Sequence, residues 1–432
     1  MPLILNESDP KDISNCFCTT KNTLLNYFYF AASAFIRCRI RPSKRRPPMS
    51  FTTSLRGFLG ALVASTLIVS ATDAQAEALT FTDIAGRKVT LPEMPDRIIL
   101  GEGRMMYAIA SVSENNPFEK IVGWNSDLIL YDPDGFRKFE NVFPEDTARL
   151  IDFGNPYAGD FSIEAVLEAD ADLVLLESGS LFKAEETGLM DKLADAGVQV
   201  AFLDFRRNAT ENVVPSLLML GRILGEEQRA AEFIDFYIAQ MRKVTNVIDT
   251  IPAEDRPVVV VENAAGWQTD FCCWSFGPYN FGRFVELAGG LNYASTLANA
   301  YSVTLNLEGV ITANPAHIVA TGANWAEFKP EVTSVLLGYE ADDAANTERL
   351  NALTARPGFA DLEAVKNGNF HVIFHQFYNS PYHFIAIQQL AKWFYPEDFE
   401  DLDPQATFAE LHERFLPFGV SGTFWMSAEG RE

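Results

Sequence analysis

Short unbroken apolar runs recur along the chain at Arg97–Leu100, Leu173–Leu176, Val198–Leu203, Val258–Val261, His317–Ala320 and His371–Phe374. They are continuous rather than alternating, which predicts strands buried on both faces of a parallel sheet. Helix-length segments such as Leu189–Ala196 and Phe284–Ala288 lie between them. The alternation predicts an α/β fold. One segment differs. Residues 226–248, "EEQRAAEFIDFYIAQMRKVTNVI", hold no Gly or Pro, and apolar side chains recur at helical spacing from Ala230 to Ile248 through Phe233, Ile234, Tyr237, Met241 and Val244. A helix of that length spans about 35 Å at 1.5 Å per residue. It is either a bridge between two lobes or an ordinary surface helix.

A weak internal repeat adds to this pattern. "FSIEAVLEADADLV" at 161–174 is echoed by "LNLEGVITANPAHIV" at 305–319. Each copy predicts a short helix entering a buried strand. Each carries a Glu near the helix start, Glu164 and Glu308, where a carboxylate suits the helix dipole. Helix capping explains one such Glu; two copies, one per half, suggest a paired role.

The N-terminus sets the compartment. Residues 49–76 show a short n-region with Arg56, an apolar run from Gly57 to Val69, and Ala74-Gln75-Ala76. This is the three-part pattern of a secretory signal, with cleavage expected after Ala76. The apolar run is short for a membrane span. Residues 1–48 precede it, which predicts a true start at Met49 or a disordered extension. No cysteine stands at the cleavage site to carry a lipid, so a soluble periplasmic protein exported through Sec is expected, in an oxidising compartment. Removing residues 1–76 takes away nine Lys/Arg and four Asp/Glu, so the formal charge becomes (34 − 9) − (58 − 4) = −29. That charge excludes a nucleic-acid binder and argues against an anionic lipid surface. About 356 residues remain (432 − 76), which suits two lobes better than one. The expected organisation is an N-terminal lobe over 77–205, a connecting helical segment over 206–250, and a C-terminal lobe over 251–432.

"LTFTDIAGRKVTLPEMPDRIIL" (79–100), the repeat, "VELAGGLNYA" (285–294), "RPGFADLEAVKNGNFHVI" (356–373) and "SPYHFIAIQQLAKWFYPEDFEDLDP" (380–404) resemble the periplasmic binding proteins of iron-complex ABC importers. The resemblance spans most of residues 79–415. It rests on the order and spacing of these segments, since no single one is diagnostic. It implies two α/β lobes with mostly parallel sheets, joined by one long rigid helix (here 226–248), with the ligand in the cleft between lobes. A single rigid connector allows only small lobe movements. The resemblance also implies that Glu164 and Glu308 dock on arginines of the permease. The expected partners are a permease dimer with its ATPase and a small metal chelate; the chain itself is expected to be a monomer without an intrinsic cofactor. Acidic charge suits steering toward a basic partner.

In open α/β sheets, ligands sit outside the C-terminal strand ends, so candidate site residues are sought there. The first end, Gly101-Glu102-Gly103-Arg104, has two glycines that allow close backbone approach. It lacks the third glycine of a dinucleotide loop. Arg104 is either a fork for a carboxylate or chelate oxygen or a salt-bridge partner. Trp124 is a core or cleft residue, Tyr157 a cleft residue on a turn-rich loop, and Ser178-Gly179-Ser180 a source of backbone donors. The loop "ENAAGWQTDFCCWSFGPYNFGRF" (262–284) carries Trp267, Phe271, Trp274 and Tyr279, which suit a large π-rich ligand. Later ends supply Asn324-Trp325 and His375 to Asn379. His375 and Tyr378 are the candidate metal contacts, since iron accepts imidazole and phenolate. No H-e-x-x-H or C-x-x-C motif is present, so a pre-chelated metal fits better than a bare-ion cage.

Cys272 and Cys273 are adjacent in that loop. A vicinal disulfide with its sulfurs facing the ligand, two buried small hydrophobes, and thiolate ligation are the three readings. The function expected is capture of an iron chelate, a ferric siderophore first, for an importer. Haem or cobalamin cargo is the alternative within the same fold. An exported thiol-redox protein is the alternative outside it, though no His or Lys adjoins the pair to lower a thiol pKa.

Overall fold

The computed structural model describes residues 78–268 and 272–430. The expected signal segment, the 1–48 extension and Phe271 lie outside them. An antiparallel hairpin comes first, β1 (Leu79–Thr82) with β2 (Lys88–Leu91). Next come β3 (Ile98–Leu100), β4 (Ile121–Trp124), β5 (Ile151–Asp152), β6 (Leu173–Glu177) and β7 (Gln199–Leu203). They form one sheet in the order β5-β4-β3-β6-β7, with every pairing parallel. The later strands are β8 (Val258–Glu262), β9 (Trp274–Phe276), β10 (Leu291–Asn292), β11 (Ser302–Thr304), β12 (His317–Gly322), β13 (Phe370–Phe374) and β14 (Trp425–Ser427). A second sheet runs β10-β8-β12-β13-β14, parallel except at β14, while β9 and β11 pair antiparallel outside it.

All six expected strands form, and for the expected reason. β3, β6, β12 and β13 are buried at every residue, so only continuous apolar runs serve there. β4 was not anticipated. Its "IVGW" is short and broken by Gly123, whose missing Cβ leaves room for the Phe153 ring and the Ile151 carbonyl.

The predicted long helix spans Glu227–Ile248, about 33 Å. It follows the last strand of the first sheet and precedes the first strand of the second, and so connects two lobes. It packs on helix Met106–Val112 of the first half and on helices Phe281–Leu287 and His383–Phe394 of the second. Phe236 and Gln240 are buried as well as the expected stripe, because the helix is covered on more than one side. The buried Gln240 accepts hydrogen bonds from the Gln388 amide at its side-chain and backbone oxygens, 3.1 and 3.2 Å away.

The repeat is structural. Helix Ile163–Glu168 leads into β6 and helix Leu307–Ala313 into β12. In each sheet that strand pairs with the sheet's first strand, β3 or β8. Ser162 and Asn306 cap the two helices through their side chains. Glu164 and Glu308 are therefore free of the capping role. Both are exposed, and neither joins a salt bridge among the described residues.

Candidate functional site

Strand order reverses between β3 and β6 in the first sheet and between β8 and β12 in the second. Loops on either side of such a point diverge and leave a crevice at the strand ends. A cavity of about 360 Å³ opens there, with walls drawn from the loops after β3, β4, β5, β7, β8, β12 and β13 and from the start of β9. Several hydrogen bonds tie the two halves around it. The Asn379 amide donates to Glu102 at 2.7 Å, the Gln376 amide to the Tyr131 carbonyl at 2.6 Å, and the Asn280 amide to the Arg206 carbonyl at 2.7 Å.

Two guanidinium groups dominate the chemistry. Arg104 is buried and donates from Nε to Asp127 at 2.7 Å, from Nη1 to Gln376 at 3.3 Å, and from Nη1 to the Tyr378 hydroxyl. Both readings of Arg104 thus meet in one residue: it is paired, and it lines the cavity. Arg206 pairs with Glu102 at 3.0 Å and lies 5.3 Å from the Tyr157 ring centre and 5.4 Å from that of Tyr378. Burial pushes the Glu102 carboxyl up, but Arg206 and Arg104 outweigh it and hold it below its ordinary value, so it is an anion at neutral pH.

His375 sits at the end of β13. Its Nδ1 meets the Thr321 hydroxyl at 2.9 Å, and its ring is 5.0 Å from Trp325 and 4.4 Å from Tyr378. Burial, reinforced by Arg104 and Arg206, pushes its pKa down to about 3. His375 is therefore a neutral imidazole at any physiological pH, and among the described residues its Nε2 has no hydrogen-bond partner. A neutral imidazole beside a phenol can offer a lone pair to a metal, which an imidazolium cannot. The remaining walls are aromatic. Trp267 meets Trp325 edge-on at 5.3 Å, and Trp274, Tyr131 and Tyr157 also face the cavity.

Seven of the nine predicted ligand contacts line this cavity: Arg104, Tyr157, Trp267, Trp274, Trp325, His375 and Tyr378. Cys272 and Cys273 do not. They are joined by a disulfide across a cis peptide, so the linkage is present but its placement beside the ligand is not. The Cys273 backbone exchanges hydrogen bonds with Leu305, which prolongs the β9–β11 ladder. Successive side chains of a strand point to opposite faces, so Trp274 meets the cavity while Cys273 enters the core, 1% exposed.

Two further expectations need correcting, and the choice left open at Trp124 is decided. Gly101 and Gly103 make room for protein: a Cβ at Gly101 would meet Leu176 at 2.5 Å, and one at Gly103 the Asn125 carbonyl at 2.6 Å. The Gly179 N–H already donates to Glu177 at 2.8 Å. Trp124 is core, packed on Phe118 and Phe136.

Arg206, Glu102, Asp127 and Tyr131 escaped the sequence reading as site residues. Arg206 follows the predicted strand Val198–Leu203, so the strand-end rule already pointed to it. Asp127 and Tyr131 follow β4, the strand that was not read.

Beside the cavity the halves meet in a charged cluster. Arg137, on helix Pro133–Val142, pairs with Glu340 at 2.7 Å and Glu327 at 3.0 Å, both from the second half. Asp134 accepts from the Asn324 amide at 2.7 Å, so Asn324 belongs to this cluster. Asp132 caps the same helix through Gly135 and accepts the Tyr107 hydroxyl at 2.5 Å.

Among the described residues no group of three or more His, Cys, Asp or Glu side chains is arranged to hold a metal ion, and no helix is long and apolar enough to cross a membrane.

Comparison with known proteins agrees with this architecture. Residues 133–375 match the model of the family described as "Periplasmic binding protein". The TroA-like periplasmic binding protein FepB from Veillonella parvula is 30% identical, with a TM-score of 0.72, over 81% of this chain and 100% of that one. The molybdate-bound MolA of Haemophilus influenzae shares the fold at 17% identity and a TM-score of 0.59, over 80% of this chain and 99% of that one. CeuE of Helicobacter pylori, in its Ni-His complex, does so at 13% and 0.57, over 79% and 97%. No curated protein sequence matches the chain. With both the family model and a 30% identical structure covering most of its length, this chain belongs to the periplasmic binding protein family, the non-enzymatic solute-binding components of ABC importers.

Proposed function

We propose that the chain captures an iron chelate, a ferric siderophore, in the interlobe cleft and hands it to an ABC permease dimer with its ATPase. The observation that carries this reading is the cavity itself. Two guanidiniums, Arg104 buried and Arg206 half-buried, suit the oxygens of an anionic chelate, three tryptophans suit its π-rich body, and neutral His375 with Tyr378 would reach the metal. Among the described residues, the carboxylates of the cavity wall are Glu102 and Asp127, which pair with Arg206 and Arg104. That set matches no bare-cation cage.

A volume of about 360 Å³ lies at the small end of ligand pockets. This favours a compact chelate over haem or cobalamin. The thiol-redox alternative loses support because neither cysteine faces the cavity. In this reading the protein is exported through Sec, carries no lipid anchor, works as a monomer, and docks through Glu164 and Glu308.

The test is a titration of tryptophan fluorescence with ferric siderophores, haem, cobalamin, molybdate and free Fe(III). Trp267, Trp274 and Trp325 line the cavity and report its occupancy. Saturable quenching by one ferric chelate class at sub-micromolar concentration is expected. Saturation by haem, cobalamin or molybdate instead would reassign the cargo.

A further inference from the structure

The cavity does not stop at Tyr157. Tyr157 and Arg206 also wall a second hollow of about 150 Å³, bordered by Glu177, Arg207 and Tyr301. Gly179 and Arg207 in turn wall a third, of about 320 Å³, floored by Ile84, Leu181 and Phe182. Since consecutive hollows share wall residues, they adjoin one another in a row from the metal-reaching end to Phe182. Gly179 stands at the joint, where a Cβ would meet the Tyr157 hydroxyl at 3.1 Å and crowd the passage.

Two exposed side chains stand out in the outer hollow. Phe182 is 75% exposed, the most of any large hydrophobic among the described residues. Arg207 is exposed and its guanidinium has no carboxylate partner among the described residues, lying 6.0 Å from each of the Tyr279 and Tyr301 rings. Arg104 and Arg206, by contrast, are committed to Asp127 and Glu102.

Neighbouring acids do not answer Arg207. Asp204 is fully buried and its oxygens accept the Arg207 backbone N–H at 2.7 Å and the Asn212 amide at 2.8 Å. Burial, with Asp204 and Glu102 near, pushes the Glu177 carboxyl well above its ordinary value, and it also takes the Gly179 and Phe205 N–H groups. An uncommitted cation beside an exposed apolar floor is the complement of an apolar arm that ends in a carboxylate.

We propose that this outer hollow is a second subsite of the cleft, in which Arg207 binds the carboxylate of an arm extending from the ligand while Phe182 and Leu181 cover its apolar body. The inference rests on the cleft being the cargo site, and it gives the compact chelating head of the inner cavity an arm that ends in an acid.

The subsite is read directly by fluorine NMR of 3-(4-fluorophenyl)propionate, with its uncharged amide as control. The proteins are the wild type, Arg207→Gln and Phe182→Ala. Both substitutions are on the surface, and an unchanged urea midpoint verifies folding. The acid should bind the wild type, at least five-fold more weakly to either variant, and the amide should bind all three weakly and alike. No binding of the acid to the wild type, equal binding of the acid to wild type and Arg207→Gln, or an amide that binds as well as the acid overturns the proposal. Chelate titrations on the same samples separate the two readings. Chelate quenching without acid discrimination removes the subsite alone. Acid discrimination without chelate quenching keeps the subsite and removes the iron cargo.

Discussion

Asp132 is the residue whose replacement has the most calculable consequence. It is 1% exposed, and it caps the helix that carries Asp134 and Arg137 to the opposite half. Burial raises its pKa from 3.8 to about 7, against the Tyr107 hydroxyl and the Gly135 N–H, which favour the anion, and with help from Asp134, which opposes it. Below pH 4 the carboxyl is protonated in both the folded and the unfolded chain, and its contribution to stability is complete. Between pH 4 and 7 the unfolded chain ionises while the folded one does not. Stability is therefore lost as pH rises through that window, and the loss levels off above pH 7. About three pH units at 1.36 kcal/mol each give roughly 4 kcal/mol.

Asp132→Asn does not titrate. Its carboxamide oxygen can still accept from Tyr107, at a cost of about 1 kcal/mol for an imperfect cap at Gly135. The variant should thus be about as stable as the wild type near pH 4.5 and more stable by about 2–3 kcal/mol at pH 8. Urea unfolding of both proteins at half-unit steps from pH 4.5 to 8.5 measures the difference, and all other titrating groups cancel because they are common to both. Two stability curves that stay parallel within about 0.5 kcal/mol would show that the folded carboxyl ionises normally, and the reasoning from burial would fail.

Arg137→Ala removes the bridges to Glu340 and Glu327. Glu327 and Glu340 are about half exposed and Arg137 about 30%, while its third partner, Asp134 at 2.7 Å, is buried; the loss should be about 1–2 kcal/mol, with the share from the two glutamates screened in 1 M salt. Glu340 is held below its ordinary pKa, first by its hydrogen bond from Arg137. The bridge is therefore intact at neutral pH and is lost as pH falls through that lowered value; a salt-independent loss above about 3 kcal/mol would mean that Arg137 acts by packing instead. Reversal of charge in the double variant Glu164→Arg, Glu308→Arg should leave cargo quenching unchanged and reduce stimulation of the permease ATPase at least ten-fold. Full stimulation by that variant would remove both residues from the docking surface.

The strands were legible because burial on both faces demands a local, continuous apolar run, and β6, β12 and β13 lie where such runs stand. The repeat helices were legible too, since their caps and first turns are set by residues three or four apart. The strand-end rule found most of the aromatic wall. It failed at β4, where a glycine interrupts the run, and so Asp127 and Tyr131 were not sought. Adjacency misled at Cys272 and Cys273: next to Trp274 in sequence, they lie outside the cavity that Trp274 lines, and strand alternation takes Cys273 into the core.

By itself, then, the sequence determined the alternation of buried strands and helices, the presence and length of the long helix, and which loops stand at strand ends, because each of these depends on neighbours within a few residues. Tertiary structure decided what those loops do. Arg104 meets Gln376 and Tyr378, Glu102 meets Asn379, and Arg137 meets Glu327 and Glu340, pairs brought together only when the two sheets face one another. The charge on Glu102, the neutrality of His375 and the proton held by Asp132 follow from those meetings and from burial. Desolvation and distance are properties of the folded chain, and no spacing along the sequence encodes them.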